Sequence, residues 1–204
     1  MANKVRFGVS NARYALKTAT GYGEWKRIPG AVQIQLEPQE SNNDFYADNE
    51  NYFTSPGAAS DQVTIELADL PDSAKIDLLG YKQVNGNLAL PVNYKPSEFV
   101  LGFQVEGDET TLRVNVFGGK LTRSSETHST KEDTTEPETQ SYEGTFSGAK
   151  FVVDSEEEAY LYYSTTSDKT DYATWWDEVK TPGDVAEEED DGDDGDDGVD
   201  PLNP

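Results

Sequence analysis

Val63, Ile65 and Leu67 alternate with Thr64 and Glu66, and the same period of two returns in Val32, Ile34 and Leu36, in Leu112, Val114 and Val116, and in Phe99, Leu101, Phe103 and Val105. Alternation puts successive side chains on opposite faces, so each segment reads as a strand with one buried and one wet face. Val5, Phe7 and Val9 give a shorter stripe, and Tyr142 with Phe146 a polar late one. Such strands pair antiparallel. The expected fold is mainly β: two packed antiparallel sheets, a β-sandwich or half-barrel, with one or two short flanking helices. Asn85-Gly86 between Val84 and Asn87 predicts a two-residue hairpin, because both central residues tolerate positive φ.

Two segments break the period. The run from Leu70 to Gly80 offers Asp69 as an N-cap, Pro71 in the first turn, Ile76 and Leu79 on one face, and Gly80 where a closing glycine belongs, which predicts a short helix. Tyr172, Trp175 or Trp176, and Val179 recur at helical spacing after Thr170 and Asp171, with Pro182-Gly183 ending the run, which predicts a second one.

Charge divides the chain. Of its 40 acidic residues, 11 fall between Asp184 and Pro204, where there is no Lys or Arg. That segment has almost nothing to bury and repels itself, so it reads as a disordered acidic tail, leaving residues 1–183 as one β domain. A formal net charge of −24 repels phosphate, which argues against a protein that grips nucleic acid or an anionic membrane. No stretch approaches the ~18 apolar residues of a membrane span, and Met1 to Arg6 lacks the apolar centre of a signal peptide. With no cysteine, thiolate metal sites, disulfides and cysteine nucleophiles drop out.

Candidate chemistry is thin. His128 has Ser124, Ser125, Thr127, Ser129 and Asp133 nearby, but a catalytic triad needs its base held by buried partners, and the whole run from Thr122 to Gln140 is polar. A calcium loop opening at Asp191 fails, because its fifth and twelfth positions hold Gly195 and Leu202. Tyr160, Tyr162, Tyr163, Tyr172, Trp175 and Trp176 read either as a sugar-stacking platform or as core. Gly118-Gly119 marks a bulge or a close backbone approach. No catalytic residue, metal site or cofactor is expected. The remaining feature is the excursion from Glu37 to Ser55, which carries Phe45, Tyr46, Tyr52 and Phe53.

The series Asn11-Ala12-Arg13-Tyr14-Ala15, Ile28-Pro29-Gly30-Ala31-Val32, Phe45-Tyr46-Ala47-Asp48-Asn49, Glu66-Leu67 through Leu70-Pro71 to Leu79-Gly80, and Glu136-Pro137-Glu138-Thr139 resembles the major tail protein, or tail tube protein, of long-tailed bacteriophages with non-contractile tails. The similarity runs from about residue 4 to 150. The resemblance implies a structural virion protein without enzymatic activity, made in the host cytoplasm. Six copies form a ring whose inner sheets join into one barrel, and rings stack into the tube through which DNA is ejected. It also implies initiator, terminator, tape-measure and chaperone proteins as partners, with DNA passing unbound. On this reading Phe45, Tyr46, Asp48, Asn49, Tyr52 and Phe53 are inter-protomer contacts, since stacking is an open, heterologous contact that an aromatic excursion can bridge. The acidic tail lies outside the matched region; its like charges read as a solubilising brush that slows premature stacking, with docking of a chaperone as the alternative. The alternative reading is a glycan-binding β-sandwich module on a virion or cell surface.

Overall fold

A computed structural model describes residues 6–39, 42–47, 50–56, 59–107, 109–123 and 139–185. In chain order the elements are β1 (Arg6–Thr18), β2 (Gly21–Tyr22), β3 (Lys26–Arg27), β4 (Ala31–Gln39), β5 (Asn42–Ala47), β6 (Glu50–Pro56), β7 (Ser60–Leu67), α1 (Asp72–Leu79), β8 (Lys82–Val84) and β9 (Asn87–Ala89). There follow β10 (Phe99–Gly107), β11 (Leu112–Thr122), β12 (Gln140–Phe146), β13 (Ala149–Val153), β14 (Glu156–Tyr160), β15 (Tyr162–Thr166) and β16 (Asp184–Val185). The fold is mainly β, as the alternation requires.

One large antiparallel sheet runs in the order β2-β1-β10-β11-β12-β7-β4, with β3 added to β1 and β15 to β11. It curls until its ends meet: the Ile28 amide donates to the Ala12 carbonyl at 2.8 Å, the Ala68 amide donates to the Gly30 carbonyl at 2.9 Å, and β1 touches β4. The turn that carries the chain across this seam is Pro29-Gly30, where proline fixes one φ and Gly30 supplies φ +74°. Inside the curl lie Tyr14, Val63, Ile65, Leu67, Phe99, Leu101, Val116 and Phe146, closed off by Leu78 and Leu79 of α1.

The inward stripes of β7 and β10 match the alternation, whereas β4 departs from it. Gln33 pairs with Glu66 and Ala31 with Leu67, so Val32 is the extra residue of a bulge and is 57% exposed, while Ala31, Ile34 and Leu36 turn inward. The helix also differs from expectation. It starts at Asp72 with Pro71 at the cap position, and Asp69 pairs instead with Lys75 Nζ at 3.4 Å. Its buried stripe is Ala74, Leu78 and Leu79, because the i, i+4 pair Ala74–Leu78 faces the sheet; Ile76 lies at the margin. Gly80 ends it at φ +74°, as predicted. Asn85-Gly86 forms the β8–β9 turn, with φ +51° and +83°.

β11 is where the sheet divides. Its Leu112–Val116 half pairs with β15 and its Gly119–Thr122 half with β12, while β10 follows the other edge from Val105 to Phe99. The switch falls at Gly118, with φ +68°, where a Cβ would overlap the Gly148 carbonyl oxygen; one on Gly119 would overlap the Phe146 ring. The glycine pair is therefore both a bulge and a close approach.

The outer face of β1, β10 and β11 is covered by a second layer: the sheet β14-β13-β16 and the segment 170–183. Phe117 meets Phe151 edge-on at 4.9 Å, with Ala15 and Val100 beside them. In place of the second predicted helix there is a 3₁₀ turn, Thr170–Tyr172, and then turns with i to i+3 bonds from Trp175 to Tyr172 and from Asp177 to Thr174. Tertiary anchors override helical propensity here: Trp175, fully buried, stacks on Tyr163 at 5.3 Å and donates Nε1–H to Asn115 Oδ1 at 3.2 Å, while Trp176 meets Trp25 edge-on at 5.5 Å. Asp184 and Val185, counted with the tail by charge, pair with β13. Residues 186–204 and His128 lie outside the described residues.

Candidate assembly surface

The second layer leaves one part of the large sheet bare. On β4, β7, β12 and the end of β11, the paired positions facing away from the core are polar and form ordered rows, with the bulged Val32 exposed at one end. Gln33, Glu66 and Ser141 make one row; Gln35, Thr64, Glu143 and Thr122 the next; Glu37, Gln62, Thr145 and Lys120 the third. Gln33, Gln35, Glu37, Ser141, Glu143, Thr145, Lys120 and Thr122 are exposed, and Gln62, Thr64 and Glu66 half-buried. The face carries three carboxylates and one ammonium, with Gln35 donating to Glu37 at 2.7 Å and Thr139 to Glu66 at 2.6 Å. Thr and Gln give it hydrogen-bonding capacity with little apolar area.

Both sides of this bare sheet are open. Among the described residues the outer edge of β4 from Gln33 to Gln39 has no partner strand, and Lys120–Thr122 of β11 pairs only with β12. Unpaired edges invite strand addition, and proteins that must avoid it place charge there. The edge strand β14 does so with Glu156, Glu157 and Glu158. The β4 edge presents Gln33, Gln35 and Gln39 with a single charge, Glu37, among them, and with Pro38, which an edge strand tolerates, near its end.

The predicted contact residues lie on an arm that leaves this same sheet. β4 and β7 pair as far as Gln39 and Ser60, and beyond them β5 and β6 pair only with each other. The aromatic excursion is thus a two-stranded ribbon, with Phe45 opposite Phe53 and Tyr46 opposite Asn51; Tyr52 is the extra residue of a bulge. Asp48 and Asn49 lie outside the described residues. The second excursion joins β11 to β12, whose pairing ends at Thr122 and Glu143, so it springs from the same four strands.

Other sequence candidates resolve differently. Trp175 belongs to the second layer's core, Tyr163 packs on it, and Tyr160 lies against Phe151 at 6.3 Å; Tyr162, 42% exposed, lies on the β15 edge. Sequence reasoning missed two features. Asp61 extends the Val63-Ile65-Leu67 stripe by one position and is buried at 2% exposure, its Oδ2 without a partner, and burial raises its pKa. The period of two contained that signal. The other is a group of arginines: Arg13 pairs in register with Arg27 across β1 and β3, and Arg113 lies over the same Trp176 ring as Arg13. No protein-family model matches the chain, and no curated protein matches it. The functional reading therefore rests on the sequence resemblance and on this geometry.

Proposed function

We propose that this chain is a structural virion protein, the major tail protein of a long-tailed phage, which assembles as hexameric rings stacked into the tube that conducts DNA. The observation that carries the reading is the bare polar sheet β4-β7-β12-β11 with an open edge on each side. The two edges differ, so joining the β4 edge of one copy to the β11 edge of the next is a heterologous contact, which closes into a ring when the rotation fits. Four strands from each of six copies make a barrel far wider than the ~8 strands that side chains can fill, and wider than the 16–18 strands that already leave an aqueous channel.

The polar face then lines the lumen. Glu37, Glu66 and Glu143 repel the phosphates of a passing duplex. Closing the ring also removes the exposed edges that make a lone sheet prone to uncontrolled pairing. The β5–β6 arm, with Phe45, Tyr46, Tyr52 and Phe53, leaves the sheet and reaches the adjacent ring. Initiator, terminator, tape-measure and chaperone proteins are the remaining partners of such a tube.

Negative-stain electron microscopy beside sedimentation velocity, at low and high salt and high protein concentration, tests the reading. Sixfold rings or tubes, favoured as salt screens the net charge of −24, are expected. Closed dimers or trimers that bury the polar sheet face would overturn it.

A further inference from the structure

We infer that the acidic C-terminal segment, residues 186–204, docks on the arginine patch of Arg13 and Arg27, backed by Arg113, in the same chain. The inference stands on the subunit alone and does not require the assembly proposed above.

The patch is anomalous in its context. The chain has 16 basic residues against 40 acidic ones, yet three arginines share one face of β3, β1 and β11. Arg13 and Arg27 are directly opposite in register, an arrangement that like charges disfavour. Trp176 fills the space above Gly102, where a Cβ would stand 2.8 Å from its ring, and the Arg13 guanidinium lies 4.8 Å from the Trp176 centroid. Arg113 stands 5.4 Å from that centroid and 3.8 Å from that of Tyr172. Aromatic stacking orients the guanidiniums without neutralising them.

No carboxylate among the described residues forms an ion pair with any of the three. Arg113 donates to neutral oxygens, Gln104 Oε1 at 3.0 Å and the Tyr172 carbonyl, and Arg27 to Asn11 Oδ1 at 3.3 Å. Arg13 Nε is buried with no partner. The carboxylate beside them, Glu106, is committed to Ser10 Oγ at 2.6 Å and Gln104 Nε2 at 2.8 Å. Burial first, and then the neighbouring Arg27 and Arg113, lower the Arg13 pKa.

The occupant follows from charge and reach. Residues 186–204 carry 10 acidic side chains and no basic one. The described chain ends after Asp184 pairs with Val152, and Asp184 lines the same cleft as Glu24, which leads through Trp25 and Lys26 to Arg27. At ~3.3–3.6 Å per residue, the six residues from Ala186 to Asp191, which include the run Glu187-Glu188-Glu189-Asp190-Asp191, span at most about 20 Å. A tether this short gives an effective concentration of about millimolar, so even a weak carboxylate–guanidinium contact is populated. Planar guanidiniums take carboxylates through paired hydrogen bonds, and of the three Arg27 is the exposed one.

The test is NMR of the uniformly ¹⁵N-labelled full chain as monomer, reading heteronuclear NOEs and amide shifts of Glu187 to Asp191. Order at low salt that is lost at about 0.5 M salt, where the Debye length is only a few ångströms, is expected. The same loss is expected at low salt in Arg27→Gln, an exposed position, and not in Lys82→Gln, an exposed cation on β8. Equal mobility in wild type and Arg27→Gln, or an equal loss in Lys82→Gln, overturns the inference. Order that disappears on dilution assigns the patch to another copy's acidic residues and overturns docking within the chain.

Discussion

Replacing Gly118 by alanine tests the geometry on which both faces of the molecule depend. Two costs add. The φ of +68° holds the residue in the left-handed region, worth about 1–2 kcal/mol against any residue with a Cβ. The new Cβ also overlaps the Gly148 carbonyl oxygen, with Gly148 C and N at 2.8 and 2.9 Å. These are backbone atoms fixed between Phe117 and Tyr160, not the end of a side chain that can swing aside, so overpacking adds about 1–3 kcal/mol. The sum, ~2–5 kcal/mol, is a large part of the 5–15 kcal/mol that holds a domain together. Gly86→Ala is the matched control: φ is +83° but nothing lies within 4 Å, so only the first cost of ~1–2 kcal/mol applies. In urea unfolding with m near 2 kcal/mol/M, Gly118→Ala lowers the midpoint by about 1–2.5 M and Gly86→Ala by about 0.5–1 M. Equal shifts would refute the claim that β11 changes partners by pressing against residue 148.

Trp175→Ala should destabilise by about 3–5 kcal/mol, measured the same way, because it removes a fully buried ring and orphans Asn115 Oδ1; a loss under ~1 kcal/mol would mean that the segment 170–183 is not part of the core. Asp61→Asn gives a pH signature. Burial raises the folded-state pKa of Asp61 above its unfolded value near 4, so its contribution is fully present below that value and is lost as pH rises through the folded one. Stability of Asp61→Asn relative to wild type should therefore increase between pH 3 and pH 7, and a decrease would contradict the buried placement. Glu66→Lys and Glu143→Lys should slow DNA delivery by particles built from the variant, through attraction of phosphate to the lumen; unchanged delivery in both would remove these residues from the wall.

Much of this architecture is legible in the chain, for physical reasons that differ by element. The inward stripes of β7 and β10 are continuous in sequence, so alternation reveals them. Asn85-Gly86 and Gly80 take positive φ, and glycine or asparagine is the local solution each time. The bulge at Val32 is invisible to a strict period of two, because the extra residue is set by pairing with β7 at Leu67 and Glu66. Trp175 and Trp176 fall at helical spacing from Tyr172, yet Asn115 and Tyr163, distant in sequence, decide their conformation. The bare polar face was within reach of the pattern, since Thr64, Glu66 and Glu143 are its outward positions; what no pattern supplies is which outward faces the second layer then covers. The arginine patch is hidden for the same reason, since Arg113 on β11 is brought to Arg13 and Arg27 from far along the chain.

The central claim, that two unlike edges of the polar sheet join between copies, is open to a direct measurement because the chain has no cysteine. Single cysteines at Gln33, Gln35 or Glu37 on β4, each combined with one at Lys120 or Thr122 on β11, place thiols on the same face at the two edges. Paired strands bring facing Cα atoms to about 4.5–5.5 Å, within the range a disulfide spans. The account predicts that at least one combination, oxidised under assembly conditions, gives a denaturing-gel ladder that stops at six chains, while each single-cysteine protein gives no more than a dimer. Monomer alone in every combination, at every salt and protein concentration, would contradict it.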